Sequence, residues 1–187
     1  VTTPTPETFD LNGWLSDSAP PQASATVYGR GDLAPRIQEL GRTIDSLRGT
    51  EVTDGEPELR ALESERDELL RIFGDARLVV HVQSISPRRL EELRAIADKE
   101  EPVVGERGTE KYMASMRANS RRLGLHIFSN AIVRIQAGLG EPQDVAFTPD
   151  DVAALEDRLG PGQWEAVNAA YEDVQQRQFT PDADFLR

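Results

Sequence analysis

Cysteine is absent from the 187 residues, which excludes disulfides and thiolate metal ligands. Aromatic residues make up only 6% and hydrophobic residues 38%, with a mean hydropathy of -0.50. Both fractions are low for a globular chain, so part of the surface is thinly packed or exposed. No apolar run approaches the ~18 residues of a membrane span. The N-terminus has neither the basic region nor the apolar core of a secretory signal, so a soluble cytoplasmic protein is expected. Basic residues are outnumbered, 21 against 33 acidic, for a net charge of -12. Such a field repels nucleic acid and anionic lipid, and neither is expected as a partner. Phosphate-loop, calcium-loop and Gly-x-Ser-x-Gly patterns are missing as well.

What is present is organised around residues 25–83. Ala25 to Arg30 reads as a strand running into a turn, and Arg77 to Gln83 as a second strand. In the second strand Leu78, Val80 and Val82 face one way and Arg77, Val79, His81 and Gln83 the other. Between them lie two helical patterns separated by a breaker-rich loop from Arg48 to Pro57. Ile37, Leu40, Ile44 and Leu47 recur at steps of three and four, the spacing of a coiled-coil seam. Leu59, Leu62, Leu69 and Phe73 keep the rhythm in the second helix, with Arg66 at the polar seam position. Leu70 and Ile72 widen that stripe. Asp32 is placed to cap the first helix and Gly49 to stop it, while Pro57 opens the second helix and Gly74 closes it. Each helix of roughly 16 residues spans about 24 Å, so a helical finger is expected between two antiparallel strands.

The rest of the chain reads as helical. Ser86-Pro87 opens a helix with Leu90, Leu93, Ile96 and Ala97 on its apolar face. Lys99 to Gly108 reads as a surface loop. Thr109 caps a further helix, and Leu123 to Ile135, the most apolar stretch, reads as a buried central helix ended by Gly138-Leu-Gly140. Thr148-Pro-Asp-Asp151 carries a capping hydroxyl, a proline at the first helical position and acids against the dipole. The expected fold is mainly α with a small two-stranded antiparallel β element. Its segments are an N-terminal arm and docking segment over 1–24, the strand, hairpin and strand module with its following helix over 25–108, a helical domain over 109–175, and a tail over 176–187.

Few constellations carry chemistry. Gly29-Arg-Gly-Asp-Leu-Ala34 fits the Gly-x-Gly-x-x-Gly/Ala dinucleotide fingerprint. Asp32 would set a carboxylate where pyrophosphate must bind, Pro35 removes an amide, and a second helix follows in place of a parallel strand. A turn and a capped helix is the better reading. His81 and His126 have no carboxylate at ligand spacing in the sequence. No catalytic residue, cofactor or metal is expected. Trp164, Val167, Tyr171 and Val174 form a stripe at i, i+3, i+7 and i+10. Such a stripe either packs on the central helix or offers a partner a helical contact, and these four are the candidate partner-binding residues.

In their order along the chain, several motifs resemble the tail assembly chaperones of long-tailed phages infecting high-GC bacteria. They are Phe9-Asp-Leu-x-x-Trp-Leu15, Val27-Tyr-Gly-Arg-x-Asp-Leu33, the charged helical hairpin, and a second strand ending near Pro87. Thr148-Pro-x-Asp-Val-x-x-Leu155 and Gly160-x-Gly-Gln-Trp164 resemble the family's closing helix pair. The loop Leu139 to Phe147 departs from the family pattern. The resemblance implies a non-catalytic factor in the host cytoplasm, absent from the mature virion, that keeps the tape-measure protein soluble while tail tube subunits polymerise around it. It also implies a longer form made by ribosomal frameshifting. Tail tube protein and self-association are further expected contacts. The alternative is a structural or adaptor virion protein whose helical finger mediates oligomerisation.

Overall fold

The computed structural model describes residues 20–49 and 56–176. The docking segment around Phe9 and Trp14, the loop tip at 50–55 and nearly all of the tail lie outside the described residues. Strand β1, Gln22–Tyr28, leads through a 3-10 turn, Gly31–Leu33, into helices α1, Ala34–Arg48, and α2, Glu56–Asp75. Strand β2, Arg77–Gln83, follows, then α3, Pro87–Glu100, and α4, Glu110–Ala131. The chain continues with β3, Ile132–Ala137, β4, Gln143–Asp144, α5, Pro149–Leu159, and α6, Pro161–Gln176.

The molecule is mainly helical, but its sheet has four antiparallel strands in the order β1-β2-β3-β4 instead of the two expected. The pairing of β1 with β2 is present, with Thr26 opposite Val79 and Val27 opposite Leu78. The correction lies in the second half, which is not all helical. The stretch expected as one central helix is helical only to Ala131, and Ile132–Ala137 pairs with β2. Ile132, Val133 and Ile135 are β-branched, which favours a pleated backbone once a partner strand is available. One register irregularity between His81 and Val82 leaves Val133 without a direct partner on β2. Gly138 at φ 55 turns the chain into β4, so the glycine pair ends a strand and not a helix. The loop after Leu139 is thus largely a hairpin.

The alternation in β1 and β2 sets the core. Ala25, Val27, Val80 and Val82 are buried on one face of the sheet, together with Ile132, Phe128, Val152, Leu159, Trp164 and Val167. Helix α6 packs on β1 and β2, and α5 on α4. Complete burial of a side chain such as Val80 or Val82 is worth roughly 1.5–3 kcal/mol relative to exposure. The opposite face carries exposed Ser24 and Thr26 beside half-buried His81, Arg134 and Gln136. A second cluster, Ile85, Leu93 and Ala131, joins α3 to α4.

Helices α1 and α2 pack on each other, with Leu40 and Ile44 buried and Arg36–Glu65 at 2.8 Å among the charged ties between them. Three local details differ from the sequence reading. Leu33 occupies the N-cap of α1, and Asp32 binds Arg30 instead. Gly74 lies inside α2, which runs to Asp75, and Leu70 is 44% exposed, outside the seam. Arg66 resolves its polar seam position by pairing with Asp67 at 3.1 Å.

Candidate functional site

The α6 stripe is internal in this structure. Trp164, Val167 and Val174 are 8%, 0% and 2% exposed, and Tyr171 is half-buried. Trp164 meets the ring of Phe128 edge-on at 4.9 Å, and Tyr171 lies 5.3 Å from the same ring. The stripe covers the apolar face of β1 and β2, a surface the sequence reading did not assign to it. Burial pushes the Tyr171 phenol up, offset in part by its hydrogen bond from Gln175.

Two motifs from opposite ends of the chain meet beside it. The Gln163 side chain donates to the Tyr28 carbonyl at 2.7 Å and accepts from the Tyr28 amide. That amide pair mimics the edge of a neighbouring strand and closes the end of β1. The Tyr28 ring stacks on Phe73 of α2 at 4.3 Å, and Gly29 donates to the Ala76 carbonyl at 2.9 Å. The turn after β1 is thereby tied to α2, β2 and α6 at once. Between the turn and the α5–α6 corner lies an open cleft of about 530 Å³ lined by Gly29 to Asp32, Arg158, Leu159 and Gln163. The Arg30 guanidinium binds both Asp32 oxygens and holds that carboxyl below its ordinary range. Within the fingerprint, Gly29 to Leu33 form a turn and a 3-10 turn that lead into α1, with the Asp32 carboxylate held by Arg30.

A second surface lies at the loop end of α3 and α4. Val103, Val104 and Met113 are 42%, 44% and 41% exposed. The loop that carries the valines is held in place. Val104 donates to the Ser115 hydroxyl and the hydroxyl contacts the Val104 carbonyl, both at 3.0 Å. Asn119 bonds Asp98 at 2.8 Å and the Glu101 carbonyl at 2.9 Å. Exposed apolar side chains on a backbone pinned at several points are a ready contact surface. Composition in the acid-rich loop hid this feature, because the anchoring Ser115 and Asn119 lie in the following helix.

His126 is buried on α4, and its Nε2 lies 2.8 Å from the Glu100 carboxylate, which also binds Arg122. Hydrogen bonds from His126 and then Arg122 hold the Glu100 carboxyl below its ordinary range. The carboxylate partner that sequence spacing did not show comes from the end of α3. Among the described residues no group of three or more His, Cys, Asp or Glu side chains is arranged to hold a metal, and no helix is long and apolar enough to cross a membrane. Comparison of the chain with family models, curated proteins and solved structures finds no match.

Proposed function

We propose that the chain is a non-catalytic tail assembly chaperone of a long-tailed phage, which binds the tape-measure protein and keeps it soluble in the host cytoplasm during tail tube assembly. The order of the motifs supports this reading. So does the exposed apolar group Val103, Val104 and Met113, which is the observation that carries it. A holdase needs apolar surface to mask its client and a charged exterior to stay in solution, and the chain that exposes these side chains carries a net charge of -12. Client contact is assigned to this loop end of α3 and α4. Contact through Trp164, Val167, Tyr171 and Val174 would require α6 to lift from the sheet.

The test is co-expression of the full chain with a tape-measure protein from the same genome. The soluble fraction of the client should rise several-fold with the chain present. Equal precipitation with and without it removes the proposal. The second reading, a structural or adaptor protein that self-associates through its helical hairpin, is favoured by Leu70, exposed on α2 outside the seam. Detection of the chain at stoichiometric levels in purified virions would select that reading.

A further inference from the structure

We propose that the free edge of β1 is a self-complementary docking strand through which two copies of this chain join their sheets. The orientation of the backbone follows from two bonds. Gly29 donates to the Ala76 carbonyl and Ser84 to the Pro21 carbonyl, so the odd-numbered residues of β1 aim their amides and carbonyls at β2. Alternation then turns the backbone groups of Gln22, Ser24, Thr26 and Tyr28 outward. Gln163 occupies both outward groups of Tyr28, which agrees with that phase. Among the described residues nothing bonds the outward groups of Gln22, Ser24 or Thr26, and all three residues are exposed.

An open edge of this kind is a template for another strand unless lysine, proline, a bulge or a covering element blunts it. The seven residues of β1 contain no charge and no proline, and their register against β2 is regular. The opposite edge, β4, is only two residues long. The open window is closed at one end by Pro20 and Pro21 and at the other by Tyr28 with its Gln163 clamp. Its centre is Ser24.

These limits select the occupant. An antiparallel copy related by a two-fold axis at Ser24 sets Ser24 against Ser24 and Gln22 against Thr26, with about six new backbone hydrogen bonds. In that register Pro20, which has no amide hydrogen, falls opposite Tyr28, whose groups are already taken. The non-pairing ends therefore coincide, and two four-stranded sheets become one continuous sheet. The neutral edge also matters for two bodies that each carry -12, because like charges are kept away from the contact.

Sedimentation equilibrium of the full chain tests the pairing. The expected result is a reversible increase in mass from 20.7 kDa toward twice that value as concentration rises. Ser24→Lys places like charges against each other across the axis and should weaken association at least tenfold. Ser24→Cys supplies a second readout in a chain with no native cysteine. A short bismaleimide should couple two copies at residue 24 far faster than at the exposed control Ser120→Cys on α4. The inference is overturned if the chain stays monomeric up to about 100 μM, where weak dimers still form. It is equally overturned if Ser24→Lys folds and associates like the parent, or if the two cysteine variants couple at the same rate.

Discussion

Gln163 and Tyr28, 135 positions apart, are joined by both hydrogen bonds a carboxamide can make to one residue's backbone. Tyr28 ends β1 and Gln163 lies in the first turn of α6, so this single side chain sets where the last helix meets the first strand. Gln163→Leu should leave a half-buried amide and carbonyl without partners. The expected loss is about 1–3 kcal/mol, given the penalty for unsatisfied polar groups. Urea unfolding at pH 7 measures it. A loss below the error of the extrapolation would show that water replaces the amide.

The helix starts capped by Ser86, Thr109 and Thr148 were legible in the sequence, unlike the start of α1 at Asp32 and the end of α2 at Gly74, and the reason is local chemistry. Thr148, Ser86 and Thr109 all accept from backbone amides of the first turn, as the residue types require. The seam residues Leu40 and Ile44 are likewise buried as their spacing implies. The end of α4 was not legible. Helix passes into strand between Ala131 and Ile132 with no glycine or proline between them, and a continuous apolar run reads alike in a buried helix and a buried strand. The pairing of β3 with β2, Ile135 opposite Val80 among others, distinguishes the two. The fate of the α6 stripe was legible in part: it packs on Phe128 of the expected central helix, one of the two readings, but the sheet face it also covers was not, for a related reason. Its spacing shows that one helix face is apolar, and nothing in that spacing names the surface it covers.

Thr148 and Asp151 form a reciprocal capping box at the start of α5, with the Thr148 amide donating to Asp151 at 2.8 Å. Thr148→Ala should cost about 0.5–2 kcal/mol. Because α5 contributes Val152 and Leu159 to the main core, the loss should appear in the global denaturation midpoint and not as local fraying alone. Thr148→Ser should recover most of the parent's stability.

Glu100 sits in the last turn of α3, where a negative charge opposes the helix dipole, and α4 answers it with His126 and Arg122. Its carboxyl is lowered from the ordinary 4.5 by hydrogen bonds from His126 and then Arg122. A carboxyl with a depressed folded value contributes stability above its unfolded value and loses it as pH falls through the folded one. Stability of the parent should therefore decline as acid is added below about pH 4.5, and Glu100→Gln should flatten that part of the profile. Chemical denaturation at stepped pH provides the measurement. Parallel profiles for the two proteins would contradict the role of this carboxyl.

Core and contact surface should respond oppositely to substitution. Trp164 is 8% exposed and Val167 is fully buried, whereas Val104 is 44% exposed. Trp164→Ala removes a large aromatic group from the centre of the main cluster and should destabilise the fold by about 3–5 kcal/mol, the range for such truncations. Val167→Ala removes less and should cost correspondingly less. Val104→Glu adds a charge to a side chain already in solvent, so its effect on stability should stay within about 0.5 kcal/mol, as for other surface changes. Client solubility should follow the opposite order when each change is compared at equal amounts of folded chain. Val104→Glu combined with Met113→Glu should sharply reduce the soluble tape-measure protein while circular dichroism and the melting transition stay those of the parent. Val167→Ala, assayed at a temperature where it remains folded, should still support the client. If instead the folded Val167→Ala chain fails and the double glutamate variant works, the contact involves α6. Release of α6 from β1 and β2 would then be part of binding, because Val167 is fully buried in the core they share.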